Sequence, residues 1–529
     1  MPLPTADTPW PPANLDRVRD KMTVWDAWYS GDPDALASVY GGQWGDDPSD
    51  TGFFASERGG WRAAVGRRIS RWFWGTPTPS GERRSKLHVP VASDIATTSA
   101  ALLFSEPPTV TGADDATTDR LTTLIDDGLH GALLEGAELA AALGGVYLRV
   151  LWDRDRYDAP WLEPHPASHA VPEWQWGRLA AVTFWRPLEV EGDRVVRHLE
   201  RHEPGFVLHG LYQGTRDSLG IRIPLTDHPA TAPIAQALGP RGDAIETGVR
   251  QLTAVYVPNM RPNRLWRGTP AAAYLGRPDI AGAEPLLDAL DEVYSSWMRD
   301  IHLGKARIIV PGTYLESNGP GKGGYFDADR QIYSELNMLQ RPGDSAMITP
   351  VQFGIRVAEH RDTAQDLVEQ ILRTAGYSAQ TFGEQGQAAV TATEVVARER
   401  QSFTTRNRKI VYWRPALAEA LETLLAIDKA VYGTLVTVAR PDVAFGDSVS
   451  EDPKTLAETA ELLRRADAAS TETLVRLTNP GFDEKQVQAE AERILQESGR
   501  AALSDPTLTG AEGGPPDAGV PSDGGGSGP

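Results

Sequence analysis

Four groupings in this 529-residue chain hold residue types able to do chemistry. Glu163, His165 and His169 lie close enough to suggest a metal centre. Pro164 and Pro166 interrupt them, however, and no helix sets the two imidazoles one turn apart, as a facing ligand pair requires. The run Gly-Pro-Gly-Lys-Gly-Gly at 319–324 has the glycines and the lysine of a phosphate cradle. Such a loop needs Ser or Thr after the lysine and a helix running on from it, and Gly323 and Gly324 stand there instead, so the expected structure is a hairpin turn. Gly-Asp-Ser occurs at 343–345 and 446–448, offering Ser345 and Ser448 as nucleophiles, but no downstream Asp-x-x-His is present to activate either. The fourth grouping is cationic: Arg398, Arg400, Arg406, Arg408, Lys409 and Arg414 face the single acid Glu399 in a chain of net charge -20 and pI near 5.0. A basic helix face of this kind is solvated, pairs with acids of a neighbouring subunit, or touches a polyanion. The expectation from these groupings is no catalytic residue, no metal and no cofactor.

The elements that must position these residues can be read from pattern. A chain with 40% apolar residues buries an ample core, and its length suggests about three domain-sized units. With no Cys, disulfides, thiolate zinc sites and cysteine nucleophiles are excluded, which fits assembly in a reducing cytoplasm. The start, MPLPTADTPWPPANL, lacks the charged and apolar segments of a signal peptide, and the most apolar stretch, 138–152, is short and carries Arg149, so no membrane span is expected. The acidic balance argues against a protein that grips nucleic acid by neutralising phosphates. Trp25, Trp28, Trp44, Trp61, Trp72 and Trp74 load the first hundred residues with large rings, suited to core packing or subunit contact.

Asn14 can cap a helix over 15–29, LHVPVASDIATTSAALLFSEPP (87–108) gives a helix stopped before Pro107 and Pro108, and 119–143 reads as one further helix. Segments 144–153 and 178–190 have the β-branched and aromatic content of strands. Residues 282–304 form a strong amphipathic helix, with Leu286, Leu290, Val293 and Trp297 on one face and Asp288, Asp291, Glu292 and Ser295 on the polar one. A β-containing insertion follows, and a helix through 362–375 returns, ending at Gly376. A polar loop then joins it to a helix from Thr391 to Tyr432, opened by a capping box of Thr391 and Glu394, kinked at Pro415 and ended by Gly433. Pro453 opens a helix through Arg465, and Asp483 caps a last one ending at Gly499. The segment 505–529 is rich in Gly and Pro with almost nothing apolar, and is expected to be a disordered tail dispensable for the fold. The class is α+β, mainly helical.

TATEVVARERQSFTTRNRKIVYWRPALAEAL, late in a chain of this length, resembles the long kinked helix of the portal proteins of tailed bacteriophages, in the SPP1-type family. EGAELAAALGGVYLRVLWD, HAVPEWQWGRLAAVTFWR and ATEVVARERQS stand in the family's order, and the likeness runs over roughly 20–500. The resemblance implies a portal fold with wing, stem, clip and crown regions forming a ring. Its parts would be a lead-in and α+β wing (1–281), a stem helix (282–304), a clip (305–356), a returning stem helix (357–376), a tunnel loop (377–390), a kinked wing helix (391–433), a helical crown (434–504) and the tail. It implies a non-enzymatic conduit at one capsid vertex for packaging and ejecting double-stranded DNA. Implied partners are further copies of itself, as a dodecamer, the terminase large subunit, a head-tail adaptor, and major capsid and scaffolding proteins. The implied location is the virion, after assembly in the bacterial host cytoplasm, with no membrane partner. The DNA-channel loop would comprise Ser378, Gln380, Thr381, Phe382, Gly383, Glu384, Gln385, Gly386 and Gln387, which offer no cation and so favour sliding over gripping. The Gly-Asp-Ser blocks resemble the nucleophile block of GDS-type hydrolases, which gives the alternative, a cytosolic serine hydrolase. In that family the block follows an early strand; here both copies stand late.

Overall fold

The computed structural model describes residues 3–40, 86–238, 242–303, 307–309, 316–317, 324–325, 349–351, 355–383, 392–446, 453–479, 482 and 484–497. Two compact units divide the chain, Met1–Gly446 and Asp447–Pro529. Fold and content are a mixture of helix and strand, as the pattern predicts.

In the first unit, helix α1 (Asp16–Ser30) buries Met22, Trp25 and Trp28 and stops at Gly31, whose φ of 66° a side chain would resist. The predicted Asn14 cap is not made: Asn14 lies in a 3-10 turn, Ala13–Leu15, that winds directly into α1. Short α2 (Pro33–Val39) does have its cap, Asp32 accepting from the Ala35 N–H at 2.9 Å. Trp44, Trp61, Trp72 and Trp74 lie outside the described residues. Helix α3 (Val91–Phe104) follows, then β1 (Thr109–Thr111). The single helix predicted over 119–143 is two, α4 (Asp115–Leu124) and α5 (His130–Leu143). Between them Gly128 takes φ 105°, which breaks the hydrogen-bond ladder while Leu121, Leu124, Ile125 and Leu129 stay buried on both sides of the break.

The central sheets are antiparallel. Strand β2 (Gly145–Leu151) pairs on one edge with β3 (Trp161–Pro166) and on the other with β10 (Ala254–Pro258). The larger sheet runs in the order β4 (Ala170–Gln175), β5 (Arg178–Glu191), β6 (Arg194–Glu203), β7 (Phe206–Thr215) and β8 (Ser218–Ile223), with β9 (Ala244–Glu246) also pairing β7. Helix α6 (Ala232–Ala237) covers one end through Ile234, which packs with Leu211 and Leu225.

Helix α7 (Glu284–Leu303) and α8 (Val357–Ala375) are the two amphipathic helices that bracket the insertion, as the periodicity predicts. Leu287 and Leu290 of α7 join Ile371 and Leu372 of α8 in one core with Trp25, Trp28 and Trp266. One residue of the predicted polar face is not on the surface. Asp291 is buried and accepts from Tyr40 OH (2.8 Å) and the Val89 N–H (2.9 Å), with His88 Nδ1 at 2.9 Å. Where the insertion begins, β11 (Arg307–Ile309) pairs with β14 (Thr349–Val351). At the same junction Asp300 accepts from Arg356 (2.9 and 3.1 Å) and lies 3.0 Å from His360 Nε2. These partners hold the Asp300 carboxyl below its ordinary value, His360 first and then Arg356. Within the insertion β12 (Glu316–Ser317) pairs with β13 (Gly324–Tyr325), and the turn expected at 319–324 falls on residues of which 319–323 lie outside the described set.

Helix α9 (Ala392–Ile427) runs without a break through Pro415 and winds into a π turn, Asp428–Tyr432, that ends at Gly433 with φ 72°. Pro415 deprives the Val411 carbonyl of its donor, and the Val411 side chain is exposed, so water can supply the missing bond. Thr391, the predicted cap, is outside the described residues, and nothing is described of the Glu394 side chain. Trp413, Leu417, Leu421 and Leu424 of α9 bury against Phe104, Leu133 and Leu148. Strand β15 (Asp442–Ala444) then pairs with β1. In the second unit α10 (Pro453–Arg465), α11 (Thr471–Thr478) and α12 (Glu484–Glu497) follow, with Val475, Val487 and Ala491 as the core. The Ser470 side chain caps α11, a helix absent from the sequence reading. The segment 505–529 lies outside the described residues.

Candidate functional site

Helix α9 carries five of the six predicted cations in describable positions, and the structure divides them. Arg400, Arg408 and Arg414 are exposed; Arg398 stands in the helix, and its side chain is outside the described set. Arg406 and Lys409 turn inward and do not belong to an outward basic face. Both lie on the stripe that continues upward from Trp413, Leu417 and Leu421, since residues four and seven positions before Trp413 share its face. Arg406 donates through Nε to the Leu102 carbonyl (2.6 Å) and through a terminal nitrogen to the Gly446 carbonyl, tying α9 to the end of α3 and to the end of the first unit.

Lys409 is the centre of a buried polar cluster. Its three ammonium hydrogens meet three acceptors: Ser99 Oγ (2.5 Å), Asp279 Oδ2 (2.6 Å) and Tyr377 OH (3.0 Å). Tyr377 OH in turn donates to Asp279 Oδ2 (2.8 Å), and Asn259 Nδ2 donates to Asp279 Oδ1 (2.8 Å). Burial pushes the Lys409 ammonium below its ordinary value against the pull of Asp279, and burial with the neighbouring carboxylate raises the Tyr377 phenol. The five side chains come from α3, the chain after β10, the approach to α7, the second residue after α8, and α9. No proton acceptor in the cluster opens to solvent, so it is a bolt between segments rather than a reactive centre.

The predicted loop starts at this bolt. Gly376 ends α8 with φ 90°, Tyr377 is buried, and Ala379–Phe382 forms a 3-10 turn whose Ser378 side chain accepts from the Gln380 N–H (3.3 Å). The Ser378 N–H donates to Ser402 Oγ of α9 (3.0 Å), and Thr381 Oγ1 shares a bond with the same hydroxyl (2.8 Å). Phe382 packs edge-on against Tyr377, so Ser378, Gln380, Thr381 and Phe382 are half-buried on α9 and only Gly383 of the described part is exposed. Glu384, Gln385, Gly386 and Gln387 lie outside the described residues.

The remaining groupings fall apart as chemistry. Glu163 is a partner of Arg149 (2.6 Å), which also reaches Glu200 (3.1 Å), and His165 Nε2 lies 3.3 Å from the His169 carbonyl. Burial first and Arg149 second lower His165 to about 3, leaving it a neutral packing residue. Among the described residues no group of His, Cys, Asp and Glu is arranged to hold a metal. Ser345 and Ser448 lie outside the described residues.

Residues 263–502 match the family described as phage portal protein, SPP1 Gp6-like, a stretch that takes in α7, the insertion, α8, α9 and the second unit's helices. No curated protein matches the chain. Among solved structures, one titled "Neck of native GTA particle computed with C12 symmetry" aligns over 78% of this chain and 98% of its own, at 13% identity and a TM-score of 0.38. The serine-hydrolase alternative finds no support in the family match. Over residues 263–502, this chain is similar to the phage portal proteins of the SPP1 Gp6-like family.

Proposed function

We propose that the protein assembles as a closed ring of twelve subunits at one capsid vertex, through which double-stranded DNA passes during packaging and ejection. The observation that carries this reading is the family match across 263–502, which includes both helices flanking the insertion and the long helix. The apolar side chains left exposed where α7 and α8 meet the insertion, Met298, Ile301, Ile355 and Val357, support it, because the described residues of a lone subunit leave them uncovered. In this reading α7 and α8 are the stem, 305–356 the clip that meets the terminase large subunit and later the head-tail adaptor, and 377–390 the loop facing DNA. Major capsid and scaffolding proteins surround the ring, and the subunit has no active site of its own. Native mass spectrometry with negative-stain microscopy tests assembly: rings with a central hole are expected, and monomer alone across micromolar concentrations and varied salt, with scaffolding protein supplied, would remove the proposal.

The loop has its own test. Changing Gln380, Glu384 and Gln387 together to Lys should give each subunit new phosphate contacts, each adding affinity by counterion release. Packaged DNA per capsid is expected to fall, most at low salt, with ring assembly intact. Unchanged packaging by the triple variant at low salt would place the loop away from DNA.

A further inference from the structure

Two surfaces of the first unit, with no residue in common, are left without partners among the described residues. The first surrounds the β4–β5 hairpin tip. Trp176 and Gly177 are its central residues, with φ of 53° and 80°, the geometry of a primed turn in which Asn-Gly is the favoured pair. A bulky residue at the first position works against the turn, and here that residue is a Trp 95% exposed. Beside the tip, Tyr274 packs against Trp174 (5.3 Å between centroids), and the Arg261 guanidinium lies 5.3 Å over the Tyr274 ring. Tyr412 OH of α9 donates to the Arg261 carbonyl at 3.4 Å. Arg277 sits between these residues and is held below its ordinary value by burial first and by the positive charges of Arg264 and Arg408. Among the described residues no carboxylate forms an ion pair with Arg264, Arg277 or Arg408. Leu265 (43% exposed) and Val411 (67%) add apolar area. An exposed Trp with Arg, Tyr and aliphatic groups, and no Lys, is the composition of a protein interface core rather than of a phosphate-gripping face.

The second surface is an open groove of about 660 Å³ lined by α4, the turn after it, the approach to β3, and Leu424 of α9. Tyr157 and Trp161 pack edge-on across it at 4.9 Å, with Leu124, Leu129 and Pro160 below. Arg120 is held by both oxygens of Asp428 (2.9 and 3.0 Å), and Arg156 lies 3.6 Å from Asp153. That leaves Asp127 and Asp158 as the groove's unpaired charges among the described residues. Arg408 and Leu424 stand sixteen residues apart on α9, so the two surfaces are separated by about 24 Å along that helix.

We infer that the Trp176 knob with its arginines docks into the Asp-rimmed groove of a second copy of this chain. The inference rests on the ring reading above and names the surfaces that make the ring. An aromatic knob meets an aromatic-lined groove of a volume that encloses a sizeable side-chain group, and unpaired arginines meet unpaired aspartates. Because knob and groove are different surfaces of one subunit, the contact is head-to-tail, the type that closes into rings.

The test uses the full chain, with ring content read by native mass spectrometry and microscopy. Trp176→Asn installs the residue the turn favours, so the subunit's unfolding temperature should hold or rise. The concentration giving half-assembly should rise at least about tenfold, as for an interface anchor worth over 1.4 kcal/mol. Arg264→Glu with Arg408→Glu, and separately Asp127→Arg with Asp158→Arg, should each abolish rings. Mixing the two variants should restore them with alternating subunits, since every interface then pairs opposite charges. Normal rings from both charge variants, or no rescue on mixing, would overturn the inference while leaving the ring reading intact. Intact rings with lost binding of a double-stranded DNA probe would assign the arginines to nucleic acid and overturn it too. A wild-type chain that forms no rings would instead remove the reading on which it rests.

Discussion

Asp279→Ala is expected to cost the first unit about 3–5 kcal/mol, because it leaves the fully buried Lys409 ammonium without its counter-charge. Ser99 Oγ and Tyr377 OH would still accept from Lys409, but neither carries charge. Asn259 Nδ2 would lose its bond to Asp279 Oδ1 as well, keeping only the Arg277 carbonyl at 3.0 Å. The measurement is the urea midpoint of the 1–446 unit followed by tryptophan fluorescence, which senses buried Trp25, Trp266 and Trp413. Adding Lys409→Met to Asp279→Ala removes the orphaned charge, so the double variant should recover part of the loss. Full recovery is not expected, since the Asn259 amide and the Tyr377 hydroxyl remain partly unsatisfied. Equal midpoints for wild type and Asp279→Ala would show that the pair is not desolvated. The expected loss has a functional side: Tyr377 opens the loop and Lys409 lies in α9, so the same variant should release the 3-10 turn from α9, seen as faster amide exchange at 378–382.

The second large effect concerns acid. In the larger sheet His198 Nε2 lies 3.2 Å from His209 Nδ1, the rings stacked 5.3 Å apart at 2°. Burial first, then His209, lowers His198 to about 3; Arg186 and Arg149 oppose its proton and Glu200 favours it. His165 is likewise lowered to about 3, and burial also lowers His209. Above pH 6.5 all three imidazoles are neutral both folded and unfolded, so they cost nothing. Between pH 6.5 and about 3 the unfolded chain takes up protons that the folded chain refuses, and stability falls with falling pH. The slope is about 1.4 kcal/mol per pH unit for each such group, hence about 2 kcal/mol each for His165 and His198 at pH 5. Thermal unfolding of the wild type should therefore move to clearly lower temperature from pH 7 to pH 5. His198→Asn should make that dependence shallower by one group's share. A pH-independent unfolding temperature over this interval would contradict neutral burial of the pair.

Legibility followed the kind of burial. Helices α7, α8 and α9 could be read because apolar residues recur at helical spacing between Gly and Pro boundaries. Strand β6 could not: RVVRHLERHE looks like a solvated charged run, yet most of it is buried. Its cations are matched across strands, Arg201 reaching both oxygens of Glu173 (2.6 and 3.0 Å) and Arg197 three backbone carbonyls around 215–218. Pairing that spans the sheet leaves no local trace in the chain. The inward turn of Arg406 and Lys409 did leave one, since both fall on the stripe of Ile410, Trp413 and Leu417, the face that carries the core contacts. The burial of Asp291 leaves no such trace. Its neighbours Asp288 and Glu292 do reach outward to Lys86 (2.7 and 3.1 Å), and only tertiary contacts with Tyr40 and His88 distinguish it.

The clasp at Asp300 separates two kinds of change that the chain can accumulate. Arg356 and His360 close the helix pair at the point where β11 and β14 also meet, so the register of α7 against α8 is set before the insertion begins. Lengthening a closed excursion raises its entropy cost only slowly, by about 0.6 kcal/mol per doubling. A change of length between β11 and β14 is therefore expected to leave the spacing of the paired helices unaltered.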